Sequence, residues 1–530
     1  MSPGSSPGRL RTPRRHQARR VPRFTRLTER PIFTRPETAV GHVVGLTLAI
    51  AGIGMLVAGI VEKLDGGPDA SALIVPAAAI GVPGLLLWRR TVAPARLSTP
   101  TIYGTVLSSW IAFALAAAVP YALSRSLPRF DLALFEAVSG FTTTSSTVLV
   151  PFAGVSRGIL LWRATTQWLG GIGVIVFVIS VLPFMRAAGS EQLGGLARGQ
   201  DRLAPRIRET AKRLVLLYVG FTLVVSGLYF AFGMTSFDAV AHAFTTVSTG
   251  GFSTHERSIA YFASPALEWC VIGVMVMAGG SFALYWRALR GKPFAIIRSI
   301  EFRVYLGLLA LVAGAAVIWN TNESGWSADA IRQTIFGVVS IGTTTGYNIV
   351  DYNLWPGAVQ LLLVFLMAIG AMTGSTAGGL KVFRLMGIVG HVRRHLFRQL
   401  HPRAVPVVRL GKEVVSEADL SRILGFFGLF MGIGAAATFL VAAIGSLDLR
   451  TSISVVATSI GNVGPALGTV GSAGHYLDVN AGVRAVMMVV MLAGRLEVYP
   501  VLLGLVPVVR FVGDSLPRPL AKAFVRLGRG

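Results

Sequence analysis

One short polar run in this chain has the residue types that can hold a dehydrated cation. It is Ser340-Ile-Gly-Thr-Thr-Thr-Gly-Tyr-Asn348, and it lies between long apolar segments. Irregular backbone at membrane depth persists only where it is buried in protein or lines a watery path, because its polar groups otherwise lack partners. Glycine lets backbone carbonyls turn toward an ion and replace its hydration shell, while small hydroxyl side chains pack outward. The run therefore predicts part of a cation pore.

Three partial copies of this run occur elsewhere in the chain. Aligned on their last polar position, the four predicted filter segments are Thr143-Thr144-Ser145, Ser248-Thr249-Gly250, Thr344-Thr345-Gly346 and Asn462-Val463-Gly464. A plain loop, or a helix C-cap with glycine in the left-handed conformation, would explain one such run. Four runs in register, all on one predicted side of the membrane, favour a filter that binds K⁺ or Na⁺.

The elements that must position these runs are short helices. An amphipathic stretch precedes each run, and an acid lies near the start of each stretch: Asp131, Asp238, Asp329 and Asp448. An acid near a helix N-terminus favours the positive end of the helix dipole, while the C-terminal end carries partial negative charge. Four half-helices with their C-terminal ends on one axis would hold a monovalent cation within the membrane.

Glycine and hydroxyl residues also crowd into positions 370–381, one span beyond the third run. Each glycine weakens a helix by roughly 1 kcal/mol, so an unwound segment is expected there. We interpret this segment as a gate below the filter, formed by Gly374, Ser375, Thr376, Gly378, Gly379 and Lys381. Close helix packing explains the glycine pairs at 170–171 and 279–280, which occupy the equivalent place in the first two copies.

In the fourth copy, Arg495 replaces the second glycine of the pair. An arginine inside an apolar span is costly and is treated as functional by default. A cation beneath the filter would repel permeating ions and limit flux, so Arg495 joins the predicted gate. A structural ion pair with an acid of another span is the alternative. Glu497 lies only two positions away and would not share the helix face of Arg495.

Composition restricts the class of protein. Of 530 residues, 53% are hydrophobic and only 14% are charged, which suits a polytopic helical membrane protein rather than a soluble one. The net charge of +25 does not indicate nucleic-acid binding, because the cations fall in blocks between apolar spans. The single cysteine, Cys270, excludes a disulfide framework and a cysteine metal cluster.

The chain is predicted to contain two N-terminal spans and four copies of a span, a pore hairpin and a second span. Its segments are a disordered basic tail (1–37), two transmembrane helices (38–100), pore repeats 1 (101–212), 2 (213–298), 3 with the gate (299–418) and 4 (419–510), and a basic C-terminal tail (511–530). Arginine and lysine concentrate between the repeats, so the positive-inside rule predicts cytoplasmic termini and long loops in a plasma-membrane protein.

The motifs of this chain resemble those of the TrkH/KtrB family of potassium transport proteins over about 40–510. They are Gln167-Trp-Leu-Gly-Gly-Ile-Gly173, Thr249-Gly-Gly-Phe-Ser-Thr-His255, Thr343-Thr-Thr-Gly-Tyr347, Gly374-Ser-Thr-Ala-Gly-Gly-Leu-Lys381 and Gly494-Arg-Leu-Glu497. The resemblance implies an all-α fold of four helix–pore-loop–helix repeats around one pore, potassium uptake, a homodimer and a cytoplasmic nucleotide-binding subunit of TrkA/KtrA type. It maps the filter to Ser145, Gly250, Gly346 and Gly464, the gate to 370–381, and a blocking arginine to Arg495. The two additional N-terminal spans favour the TrkH branch.

Ser145 departs from the bacterial pattern, in which a glycine is expected at this filter position. A residue other than glycine in a left-handed conformation costs about 1–2 kcal/mol, and its side chain narrows the ring. In the related plant transporters, a serine here accompanies sodium permeation. We therefore expect weaker discrimination against Na⁺ than in a filter with four glycines.

Two other classes of function fit this sequence less well than a pore does. A carrier driven by H⁺ or Na⁺ would want ionisable residues at mid-membrane, and spans 102–123, 213–234 and 359–372 contain no acid. A membrane-embedded enzyme is disfavoured because the eight histidines do not form a metal site and no phosphate-binding loop follows a strand. No cofactor is expected in this chain. The basic loop 391–418 is the candidate docking site for a partner, although solvated charge explains it equally well.

Overall fold

The computed structural model describes residues 38–93, 99–187, 200–404, 406–411, 413–471 and 474–504. The predicted basic tails, 1–37 and 511–530, lie outside these residues. Within the described part, the regular secondary structure is helical, apart from one antiparallel hairpin in the basic loop, which pairs β1 (Arg409–Leu410) with β2 (Glu413–Val414).

The helices follow the apolar segments and the half-helix stretches of the sequence. In chain order they are α1 (Ala39–Leu64), α2 (Ala70–Arg90), α3 (Thr99–Leu123), α4 (Phe130–Phe141), α5 (Arg157–Ala187), α6 (Gln200–Ala231), α7 (Ser236–Val247), α8 (Pro265–Ala278), α9 (Phe282–Leu289), α10 (Ala295–Arg298), α11 (Ile300–Ser324), α12 (Ala328–Gly342), α13 (Gly357–Ile369), α14 (Val382–Leu400), α15 (Glu417–Gly445), α16 (Leu449–Gly461), α17 (Ala481–Arg495) and α18 (Tyr499–Gly504).

Six of these helices are long and apolar enough to cross a membrane: α1, α2, α3, α6, α11 and α15. The prediction of an all-α polytopic membrane fold is confirmed. The second spans of repeats 2, 3 and 4 are interrupted, and the break expected at 370–381 is one of these interruptions. α8 and α9 meet at 94° and count as one further span only if the bent pair is taken together. α13 and α14 are separated by residues 370–381, and α17 and α18 by residues 496–498.

These breaks have local causes. Gly370 ends α13 with φ +70°, a conformation that glycine adopts without a steric penalty. A helix cannot continue through such a residue, so the segment that follows must find hydrogen-bond partners outside a helix. Between α17 and α18, Glu497 and Val498 also have positive φ.

The four half-helices α4, α7, α12 and α16 share their packing, and three of them share their mode of initiation. The last three begin at a cap, where Thr235, Ser327 and Asp448 accept a hydrogen bond from a backbone N–H of the first turn. Each half-helix packs against the first and second helices of its own repeat, and against the second helix of the repeat before it: α7 on α5, α12 on α8, α16 on α13, and α4 on α17. The last of these contacts closes the four repeats into a ring.

Candidate ion pore

Each half-helix ends in the same backbone conformation. The residue just after the last helical turn is left-handed in all four repeats, with φ of +53°, +51°, +58° and +54° at Thr143, Thr249, Thr344 and Asn462. Two positions further on, φ is again positive, at Ser145, Gly251, Gly346 and Gly464. An isolated loop has no reason to repeat this pattern, so the four runs are copies of one structural device.

Backbone hydrogen bonds establish the register of the copies. The N–H between the two positive-φ residues donates to a carbonyl five residues earlier in every repeat: Thr144 to Ser139 at 2.8 Å, Gly250 to Thr245 at 2.7 Å, Thr345 to Ser340 at 2.9 Å and Val463 to Thr458 at 2.9 Å. The expected alignment of the second run is therefore wrong by one residue. Thr249-Gly250-Gly251 matches Thr344-Thr345-Gly346, and Gly251 rather than Gly250 corresponds to Ser145.

The positive-φ residues lie against the carbonyls of the neighbouring run. A Cβ added at Gly251 would lie 1.8 Å from the Thr345 oxygen, and one at Gly346 would lie 2.0 Å from the Val463 oxygen. A Cβ at Gly464 would lie 2.3 Å from the Thr144 oxygen. Run 2 thus contacts run 3, run 3 contacts run 4, and run 4 contacts run 1. The three glycines allow this close approach, and Ser145 occupies the equivalent position in run 1.

A cavity of about 40 Å³ lies where the four runs meet, and each run contributes to its wall through Ser145, Gly251, Gly346 and Pro465. His475 also lines it, and burial lowers the pKa of this histidine below its usual range. The imidazole is therefore neutral near pH 7 and adds no positive charge to this cavity.

Tyr347 braces the third run against the second repeat. Its hydroxyl lies 2.5 Å from Thr245 Oγ1 and 3.1 Å from Thr246 Oγ1, and it donates to the His242 carbonyl at 3.1 Å. All three partners belong to α7, and the tyrosine is buried. This side chain therefore fixes the distance between runs 2 and 3. The sequence motif includes Tyr347 but does not predict this role.

A buried ion pair supports the outer ends of runs 1 and 2. Glu136 of α4 accepts hydrogen bonds from the Val148 N–H at 2.9 Å and from Arg163 Nε at 2.6 Å. Arg163 of α5 also donates to the Ser253 carbonyl at 2.9 Å, and its guanidinium lies 3.5 Å from the centre of the Phe252 ring. Sequence reasoning missed this pair, although an acid and an arginine in apolar segments of one repeat were an available signal.

The remaining filter residues have supporting contacts between repeats. Gln167 of α5 donates to the Gly250 carbonyl at 2.9 Å, and Asn462 Nδ2 donates to Thr144 Oγ1 at 2.9 Å. Ser248, by contrast, is the cap of α7 and bonds back to its own helix through the Phe244 carbonyl at 2.8 Å. Ser248 therefore precedes the filter run rather than forming its first residue.

Segment 370–381 lies directly against the ends of the filter runs. Thr376 Oγ1 donates to the carbonyl of Val247, the last residue of α7, at 3.0 Å. The Gly378 N–H donates to Thr344 Oγ1 at 2.9 Å, and a Cβ added at Gly378 would lie 2.1 Å from the Gly461 oxygen. The unwound segment thus contacts three of the four repeats.

Arg495 reaches this segment from the fourth repeat. Its Nη1 donates to the Thr376 carbonyl at 2.6 Å, and the side chain is 3% exposed. Its Nε and Nη2 have no hydrogen-bond partner within the described ranges. No carboxylate there pairs with it either, since Glu497 pairs with Arg384 of α14 at 2.6 Å. Lys381, also buried, donates to the carbonyl of Ala377 within the same segment.

Comparison with known proteins gives one consistent result. The model of the TrkH family, described as cation transport protein, matches residues 73–319 and 323–509. The chain is 34% identical to the Trk system potassium uptake protein TrkI of Halomonas elongata, over 89% of this chain and 96% of the relative. It is 33% identical to TrkH of Escherichia coli K12, over 88% and 98%. The crystal structure of the potassium transporter TrkH from Vibrio parahaemolyticus superposes with a TM-score of 0.80 at 30% identity, covering 88% of this chain and 97% of that one.

Proposed function

This chain belongs to the TrkH family of cation transport proteins, and on that premise we propose that it carries K⁺ into the cell through a gated, channel-like pore. The curated relatives named above are potassium uptake proteins, and the chain covers nearly their whole length. It is a membrane ion transport protein and not an enzyme.

The observation that carries the proposal is the convergence of the four filter segments on one cavity, with successive runs in contact. Backbone carbonyls of Thr144, Thr345 and Val463 each lie against the run of the adjacent repeat. Carbonyl oxygens arranged in this way replace the hydration shell of an alkali cation without placing an ionised side chain in its path. Permeation of Na⁺ beside K⁺ belongs to the same proposal and depends on Ser145.

The proposed gate is segment 370–381 together with Arg495. The segment is tied to the filter through Thr344 and to the fourth repeat through Arg495, so a shift in one of these contacts alters the path below the filter. No carboxylate in the described part of the chain pairs with Arg495, so its guanidinium leaves positive charge beneath the filter, which opposes the passage of a cation.

The proposed setting is a homodimer in the plasma membrane, with both termini in the cytoplasm and a TrkA/KtrA-type nucleotide-binding subunit on the basic side. The exposed arginines of α14 and of the loop after it support a docking role for residues 391–418. In this arrangement the regulatory subunit would act on the gate through α14, because α14 begins where segment 370–381 ends.

Growth at low potassium tests the proposed function. The full chain should restore growth of bacteria that lack their potassium uptake systems, and co-expression of a TrkA-type subunit should increase the rescue. A filter variant with a bulky residue, Gly346→Leu, is the control for pore flux, since its side chain would overlap the Val463 oxygen. Equal growth with the native chain and with this variant would reject the proposal.

A further inference from the structure

The bend between α8 and α9 encloses an apolar cavity that the transport pathway does not use. The cavity has a volume of about 220 Å³ and is lined by Leu217, Phe221, Met277, Phe282, Tyr285, Ala288, Leu289 and Ile296. The only polar group in this lining is the Tyr285 hydroxyl, which donates to the Met277 carbonyl at 2.7 Å. An apolar cavity of about 150 Å³ already holds a benzene molecule, so this one has room for part of an acyl chain.

The surface around the cavity is strongly apolar as well as basic. Leu289, Phe294 and Ile297 are 72%, 63% and 65% exposed, so each presents most of its side chain to the surroundings. Exposed cations stand on the same short stretch of chain: Arg287, Arg290, Lys292, Arg298 and Arg303. None of them forms an ion pair with a carboxylate in the described part of the chain.

Aromatic rings hold two of these cations at the rim. The Arg290 guanidinium lies 5.0 Å from the centre of the Trp286 ring, and that of Arg298 lies 5.7 Å from the Phe294 ring. Tryptophan and arginine at the end of an apolar helix are typical of the depth at which lipid headgroups lie. The apolar lining and the unpaired cations together match the two parts of one molecule, an acyl chain and an anionic headgroup.

We propose that this site binds an acidic phospholipid, with one acyl chain in the cavity and the phosphate on the cations of 287–298. A basic cluster beside transmembrane helices attracts anionic headgroups, and each cation near the surface adds about fivefold to the affinity. A zwitterionic lipid would fill the cavity equally well but would gain little from these four cations, which have no carboxylate partner in the described part of the chain. The negative charge of its headgroup therefore distinguishes the predicted ligand from a zwitterionic lipid.

The site is connected to segment 370–381 by backbone hydrogen bonds. The N–H of Phe282, which lines the cavity, donates to the Gly374 carbonyl at 3.1 Å, and the Met372 N–H donates to the Gly279 carbonyl at 3.1 Å. A lipid that fills the bend restrains the residues on both sides of these contacts. An effect of the lipid on ion flux follows from this, and that effect rests on the proposed function, whereas binding of the lipid does not.

Lipid retention by the purified full chain tests the proposal. Native mass spectrometry should show phosphatidylglycerol retained at least about tenfold more strongly than phosphatidylcholine of the same acyl chains. Replacing Arg287, Arg290, Lys292 and Arg298 by glutamine should remove this preference. Replacing Arg393, Arg398, Arg403 and Arg409 by glutamine removes the same number of cations elsewhere on the basic side and should preserve it.

Two variants separate the cavity from the charge. Ala288→Trp fills the cavity and should reduce phosphatidylglycerol retention, while Ala288→Leu fills less of it and should reduce retention less. Equal retention of the two lipids by the native chain, or unchanged retention in both Ala288 variants, would overturn the proposal. Loss of dimers without loss of lipid in the variant with glutamine at positions 287, 290, 292 and 298 would also overturn the proposal, because the patch would then be a contact between subunits.

Discussion

At the scale of single residues, the pore depends on which side chains can tolerate a positive φ next to a neighbouring carbonyl. Gly251, Gly346 and Gly464 have no side chain, and the space that a Cβ would need is filled by an oxygen of the adjacent run. Ser145 adopts φ +72° at the equivalent position. A Cβ added at Gly464 would lie 2.6 Å from the Cβ of Ser145. The serine side chain therefore makes the arrangement of the four runs asymmetric on this side.

Ser145→Gly should increase the preference for K⁺ over Na⁺. The substitution removes left-handed strain and restores the fourfold ring, and an increase of about fivefold corresponds to roughly 1 kcal/mol of differential binding. Uptake of K⁺ and Na⁺ in cells that express the native chain and the variant measures the ratio. Gly346→Ser is the opposite change and should lower K⁺ uptake; an unaltered ratio in Ser145→Gly would contradict the role given to this residue.

Tyr347→Phe should weaken ion selectivity while the protein still folds. The variant loses only the hydroxyl that joins run 3 to Thr245, Thr246 and His242 of α7, a net cost of about 1 kcal/mol per hydrogen bond. The K⁺ to Na⁺ uptake ratio is the measurement. Tyr352→Phe is the matched control in the same repeat, since its buried hydroxyl has no partner in the described chain. Equal ratios in the two variants would exclude a bracing role for Tyr347.

At the scale of elements, each half-helix is tied to the segment that follows its filter run. In every repeat, a side chain within the half-helix bonds to that segment: Glu136 to Val148, Asp238 to Thr254, Ser340 to Tyr347 and Ser454 to Leu467. These contacts hold the outgoing segment against its helix, so the backbone carbonyls of the run keep their direction.

Arg163→Met should destabilise the protein strongly. It leaves the Glu136 carboxylate buried without its partner, and breaking a buried ion pair in this way costs about 3–5 kcal/mol. Thermal unfolding of the purified protein in detergent measures the effect. Arg213→Met breaks the exposed pair with Glu209 and should cost less than about 1 kcal/mol. Similar losses in the two variants would show that the Glu136 pair contributes no more than a surface contact.

Arg495→Ala should raise ion flux and make it less dependent on a regulatory subunit. The variant removes both the positive charge beneath the filter and the bond that holds Thr376. A barrier lowered by about 1.4 kcal/mol corresponds to a tenfold increase in rate. Rubidium uptake into proteoliposomes is the measurement, with Arg422→Ala, which loses only a surface pair, as the control. A flux no higher than that of the control would remove Arg495 from the gate.

At the scale of the whole molecule, the four repeats form a closed ring around one axis. The contact between α4 and α17 joins the first repeat to the last, and Arg484 of α17 strengthens it by pairing with Asp131 at 3.0 Å. Arg332 of α12 pairs with Glu268 of α8 at 2.6 Å across the boundary between repeats 3 and 2. Because residues from all four repeats line one cavity, the proposed path for ions is a single shared one rather than several separate ones.

A single pore predicts that membrane voltage alone drives the flux. Proteoliposomes that contain the full chain should take up rubidium in proportion to an imposed negative-inside potential at equal pH on both sides. The described filter is built from neutral oxygens, so no ionised group needs to change its protonation state in each transport step. Uptake that required a gradient of H⁺ or Na⁺ would support a coupled carrier instead.

The sequence by itself determined the membrane class, the helical stretch before each polar run and the broken segment at 370–381. These features follow from hydropathy and from local backbone preferences, which act over a few residues. The tertiary structure alone decided that Gly251 matches Ser145, that Tyr347 braces α7, and that Arg163 pairs with Glu136. It also decided that segment 370–381 contacts Thr344 and Val247. Such contacts join residues far apart in the chain, so they depend on how the repeats pack and not on any local pattern.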